Sequence, residues 1–187
     1  MEIKTETRNS SWELKTTENS RTVEGYALKF NIESNDLNGF YEIIDSKALN
    51  GVIERSDVFC WLNHNEDRGL LARSKNGVGS LKLEVDAVGL VYRFEAPKTA
   101  LGDELLEGLR RGDINTSSFG FRGAKDKWEK RSNGSLLRTV TQFETFSDVS
   151  PVYQPAYPDT TVAVRNMNQF QTEDLTVYFE LLKNKIN

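Results

Sequence analysis

The sequence predicts a β-rich α+β fold, a mostly antiparallel closed β-barrel or curled sheet with flanking helices. Three observations carry that expectation. Short apolar runs rich in β-branched and aromatic residues follow one another, Gly and Asn turn signals separate them, and a single strong helix interrupts the series. No regular strand–helix alternation is present of the kind a doubly wound parallel sheet requires. At 187 residues and 37% hydrophobic content, the chain suits one domain with one core plus short tails.

Residues 1–20 are polar, with only brief alternating pieces such as Glu2-Ile3-Lys4, and read as an edge strand or a polar lead-in. The run TVEGYALKFN at 22–31 predicts a strand, and the Gly/Asn/Asp-rich ESNDLNG after it a loop. A second strand over 40–44 leads to a short helix near Ala48, with Asp45 or Ser46 as its cap. Residues 58–62, VFCWL, are a compact apolar run expected to form a strand buried on both faces and to deliver Asn63-His64-Asn65 at its end. Residues 69–96 read as a three-stranded meander with turns at Asn76-Gly77 and Ala87-Val88-Gly89. In 99–111, Leu101, Leu105, Leu106 and Leu109 share a helical face, acids come early and arginines late, and Gly112 stops the helix. INTSSFGF at 114–121 returns to a strand pattern interrupted by Gly120. A polar hairpin at 125–134, a long strand in LLRTVTQFETFSDVS and a Pro-punctuated extended segment, PVYQPAYP, follow. A second amphipathic helix is predicted over 172–186 from Leu175, Phe179 and Leu182.

Composition narrows the function classes. A formal charge of −4 provides no basic field for a phosphate backbone, so nucleic acid is not expected as a partner. No apolar run of about 18 residues predicts a membrane span, and the polar N-terminus does not read as a signal peptide. One cysteine, Cys60, offers neither an internal disulfide nor a zinc knuckle, which fits a reducing cytoplasm. One histidine, no Gly-rich phosphate cradle and no spaced carboxylate pair leave metal sites, cofactors and glycosidase chemistry without a motif.

His64, the only histidine, has the side chain best suited to general-base work near neutral pH, and it sits between two asparagines that could orient an imidazole. On residues alone, a single loop histidine is more often a surface residue. A serine nucleophile needs a base in reach and backbone N–H groups aimed at the developing oxyanion. Asn115-Thr116-Ser117-Ser118-Phe119-Gly120-Phe121 supplies two hydroxyls beside a glycine, but the pattern also suits an ordinary strand edge and is not the GxSxG elbow.

Five blocks in order resemble the prohead maturation proteases of tailed bacteriophages: RTVEGYALKFN at 21–31, WLNHN at 61–65 with GLLARSKNG, GLVYRFEAP, LLEGLRRGDINTSSFGF, and DVSPVYQPAYPDT. The likeness spans roughly residues 21–165 and implies a protease domain there. Residues 1–20 would then form a lead-in and residues 166–187 a C-terminal tail. The family is distantly similar in fold to the herpesvirus assemblins. The resemblance implies that His64 is the general base, and that Ser118, directly before Phe-Gly-Phe, is the nucleophile. Ser117 stands where the family often has an apolar residue. It further implies that Asp148, where the family usually carries glutamate before Val-Ser, orients His64. The implied activity is a serine endopeptidase without a cofactor. It would cleave the scaffolding segment of the major capsid protein, and finally itself, inside the immature capsid in the host cytoplasm, with self-association as a further contact. The rival readings are a non-catalytic capsid assembly module that keeps the fold, and a ligand-binding β-barrel.

Overall fold

The computed structural model describes residues 5–10, 14, 20–37 and 39–153. The helix predicted over 172–186 and the extended segment beyond Tyr153 lie outside the described residues. In chain order the strands are β1 (Thr5–Ser10), β2 (Thr22–Lys29), β3 (Phe40–Ile44), β4 (Asp57–Cys60), β5 (Ala72–Lys75), β6 (Val78–Gly79), β7 (Lys82–Val85) and β8 (Gly89–Glu95). After the helix α1 (Ala100–Arg111) come the long strands β9 (Thr116–Lys130) and β10 (Leu136–Val152).

These strands form two sheets. The larger runs β1-β9-β10-β4-β5-β6, with β3 also paired to β10; the smaller is β2-β8-β7. β10 organises the larger sheet. It runs antiparallel to β9 along most of its length and parallel to β3 over Leu136–Val140, and it meets β4 in parallel at Asp148 opposite Phe59.

The strand-rich fold with few helices is as predicted, but neither sheet closes into a barrel. The reason lies in the stretch that reads as one meander. β5 stays with β4 in the larger sheet, whereas β7 and β8 join β2. The chain changes sheet at Gly79, whose backbone lies so close to Arg73 that a Cβ would stand 2.0 Å from the Arg73 carbonyl oxygen. β6 therefore ends after two residues, and packing of side chains, not a continuous ladder, joins the sheets. The predicted Asn76-Gly77 turn is present, with φ of 53° and 77°, as a tight β5–β6 hairpin requires.

The core lies between the sheets. Phe119, Phe121, Phe143 and Phe146 from β9 and β10 pack with ring centroids 4.7 to 6.3 Å apart. They belong to one buried cluster with Val23, Leu28, Leu90 and Phe94 of the smaller sheet and with Leu105 and Leu106 of α1. α1 follows its sequence signals, and Gly112 closes it at φ 79°; the structure adds an N-cap, Thr99 Oγ1 accepting from the Gly102 amide. Two local expectations need correction. The short helix near Ala48 is a series of turns in which Asp45 Oδ1 accepts from the Lys47 amide, followed by a 3-10 turn at Ile53–Arg55. β4 is not buried on both faces: Val58 and Cys60 point into the core, while Phe59 and Trp61 stack 4.9 Å apart on the half-exposed side.

β1 is held by buried charge. Arg8 Nε and Nη2 donate to the two Glu42 oxygens on β3 at 2.8 and 3.0 Å, and Nη2 also reaches Glu6 Oε2 at 2.8 Å. Arg138 Nη1 from β10 donates to Glu6 and Glu42 at 2.8 and 3.0 Å, and its Nε to Asp126 at 2.6 Å. Burial alone would discharge the Glu42 carboxyl, but the two guanidiniums outweigh it and hold its pKa below the ordinary carboxylate value.

Candidate active site

β4 ends at Cys60, Leu62 fills the core, and the chain then turns sharply through Asn63 and His64, both with φ of 55°. Left-handed conformations are costly for residues other than glycine and persist where surrounding contacts fix them. Here the Asn63 amide donates to the Pro151 carbonyl of β10 at 2.8 Å, and the Asn65 amide to Leu62 at 3.2 Å. The flanking asparagines do not orient the ring as expected: Asn65 Oδ1 instead caps the 3-10 turn Glu66–Arg68 by accepting from the Asp67 amide.

Asp148 holds the ring. Its Oδ2 is in short hydrogen-bond contact with His64 Nδ1, and its Oδ1 accepts from Ser150 Oγ at 2.7 Å. Ser150 Oγ in turn accepts from the Trp61 amide at 3.3 Å. Asp148 is 3% exposed and Ser150 0%. The His64 side chain is 21% exposed, but its Nε2 is buried and has no hydrogen-bond partner among the described residues. The Asp148 charge also acts on a buried thiol nearby. Burial first, and Asp148 second, push the Cys60 thiol well above its ordinary pKa, which removes Cys60 as a nucleophile.

Strand register decides which serine shares this face. Asp148 pairs with Gly120 and Ser150 with Ser118 across β10 and β9. Directly opposed residues in an antiparallel pair project to the same side, so Ser118 lies on the face of Asp148 and Ser150. Ser117 projects to the other face, where its Oγ meets the Tyr92 hydroxyl of β8 at 2.7 Å between the two sheets. Ser118 is fully buried, and its Oγ donates to the Arg8 carbonyl of β1 at 2.8 Å, not to His64.

Gly120 has a role in this geometry that differs from an open approach to substrate. A Cβ there would meet Ser147 Oγ at 3.2 Å, Asp148 Cβ at 3.3 Å and Thr5 Cγ2 at 3.3 Å, so the missing side chain makes room for Asp148. Phe119 and Gly120 are flanked by Arg8 and Thr7 on β1 and by Val149 and Asp148 on β10. Their amides therefore lie in the sheet plane and face neighbouring strands.

The structure thus brings His64 and Asp148 into contact and sets Ser118 on the same face with its hydroxyl turned to β1. Sequence reasoning missed Ser150, the Trp61 amide and the Arg8 carbonyl. Ser150 had a readable signal, since it stands two residues from Asp148 on a strand and so shares its face. The other two are backbone groups, and no residue type announces them. Among the described residues no cluster of His, Cys, Asp or Glu could hold a metal ion, and no helix is long and apolar enough to cross a membrane.

No curated protein sequence matches the chain. The solved structure of the bacteriophage T4 capsid assembly protease aligns with a TM-score of 0.48 and 14% identity, covering 82% of this chain and 98% of that one. A family model described as caudovirus prohead serine protease matches residues 5–174, from β1 through the last described strand and beyond. A match over that span places the chain in the family: it is a prohead serine protease of tailed phages, a protease of capsid maturation.

Proposed function

We propose that Ser118 is the nucleophile, His64 the general base and Asp148 the carboxylate that orients it, and that the substrate is the scaffolding segment of the major capsid protein inside the prohead. The observation that carries this reading is the His64 Nδ1–Asp148 contact, which leaves Nε2 without a partner among the described residues on the face that Ser118 shares. In the described conformation the Ser118 hydroxyl donates to Arg8. Catalysis begins when it exchanges that acceptor for His64 Nε2. The oxygen then attacks the scissile carbonyl carbon while Nε2 takes the proton, and the imidazolium formed is stabilised by Asp148. His64 returns the proton to the leaving amine, and water hydrolyses the acyl-enzyme by the same relay. Cleavage of the protease itself ends its activity once the capsid protein is cut.

Co-expression with the neighbouring capsid gene, followed by mass spectrometry of the products, tests the substrate and the serine together. Ser118→Ala leaves both proteins full length, while Ser117→Ala still cuts. Capsid protein cleaved by Ser118→Ala overturns the assignment, and capsid protein left intact by the active enzyme overturns the substrate.

A further inference from the structure

We infer that Ser150 is a positioning residue of the site, fixing the Asp148 carboxylate and the His64 loop in one arrangement through a single hydroxyl. The inference rests on the proposed His64–Asp148 roles and extends them to a residue that contacts neither substrate nor imidazole. Ser150 Oγ uses both sides of its capacity: its proton goes to Asp148 Oδ1 at 2.7 Å, and an oxygen lone pair takes the Trp61 amide at 3.3 Å. Asp148 on β10 is thereby tied to the stretch of chain that presents His64 three residues after Trp61.

A carboxylate held at one oxygen only can rotate about its side-chain bonds. Held at both, it presents Oδ2 to Nδ1 in one direction and fixes the neutral ring with its proton on Nδ1 and its lone pair on Nε2. That is the tautomer a base acting through Nε2 needs. Packing alone does not account for a serine here. Alanine would fill the 0% exposed position almost as well, but it would leave the buried Asp148 Oδ1 without the hydroxyl and the Trp61 amide without its acceptor. Ser150 also lies opposite Ser118, so loss of its hydroxyl acts beside the nucleophile.

The test needs no knowledge of cleavage specificity. A fluorophosphonate labels an activated serine: the oxygen bonds to phosphorus, fluoride leaves, and the serine proton passes to the base. The labelling rate is measured on the full chain, with the modified residue mapped by mass spectrometry. In parallel, proton NMR follows His64, whose ring signals need no assignment against other histidines because the sequence contains one. Ser150→Ala is expected to label Ser118 about tenfold more slowly and to lose or broaden the downfield Nδ1–H signal, while Ser150→Thr, which keeps the hydroxyl, recovers both. Wild-type labelling and an unchanged Nδ1–H signal in Ser150→Ala overturn the inference. Slower labelling with that signal intact does so too, since the effect would then not pass through Asp148. His64→Ala serves as the separate check on the underlying reading. If it still labels Ser118 at the wild-type rate, the proposed roles fail; if it does not label while Ser150→Ala behaves as wild type, only the positioning role fails.

Discussion

Two polar constellations sit on the same long strand, ten residues apart, and they are finished differently. Around Arg138 every carboxylate of Glu6, Glu42 and Asp126 meets a guanidinium. Among the described residues Arg138 Nη2 has no hydrogen-bond partner, but its guanidinium carbon lies 5.9 Å from the centre of the Trp128 ring, and an arginine does not release a proton to repair the omission. Around Asp148 the acceptors are equally well used, yet among the described residues the chain of bonds stops at His64 Nε2. A histidine can both take and return a proton, so under the proposed mechanism the same kind of gap is a working position. Ion pairing fastens β1 to the sheet, whereas the unfinished hydrogen-bond chain leaves the lone pair that the proposed mechanism uses as its base.

Substitutions on the two sides separate these roles. The largest effect is expected from Ser118→Ala and His64→Ala, each lowering turnover by about a million-fold while the protein stays folded at a cost of about 1–2 kcal/mol for the lost hydrogen bond, as activity assays paired with urea titration will read. Asp148→Asn keeps the shape but supplies no anion for the imidazolium, and is expected to cost about ten-thousand-fold, less than either of the first two. Equal losses for all three would mean that Asp148 holds structure and not only the ring.

The ion cluster should show the reverse pattern. Glu42→Ala leaves Arg8 and Arg138 buried without their main partner and is expected to destabilise the protein by about 3–5 kcal/mol, measured by chemical denaturation. Because Glu42 titrates below its unfolded value of 4.5 in the folded protein, its contribution is fully present above that value. It is lost as pH falls through the lower folded pKa, so wild-type stability declines in acid by a component that Glu42→Gln lacks. The smallest effect is Ser117→Ala, which takes the Ser117 hydroxyl from Tyr92 and is expected to cost about 1 kcal/mol with activity retained. Loss of cleavage without loss of stability in Ser117→Ala would exchange the roles of the two serines.

Much of the fold was legible locally. β3, α1 and its Gly112 stop, the Asn76-Gly77 turn and the strand leading to His64 follow from short-range signals that each operate within a few residues. The division of 69–96 between two sheets was not legible, because periodicity shows that a segment is a strand but not which strand it will pair with. The family resemblance named His64, Ser118 and Asp148; periodicity alone placed none of them in a site. Strand alternation separated Ser117 from Ser118 by face, yet the direction of each hydroxyl depended on Arg8 and Tyr92, distant in the chain.

By itself, then, the sequence determined a strand-rich domain with one internal helix and a single imidazole delivered at the end of an apolar strand. Only the tertiary structure decided that Asp148, 84 residues on, meets that imidazole, and that Ser150 holds the carboxylate in place. It also decided that a buried ion cluster fixes the strand to which Ser118 is bonded. The physical reason is range. Turn chemistry, capping and alternation act between neighbours in the chain, whereas hydrogen bonds among buried groups are set by strand register, which only the assembled sheet defines.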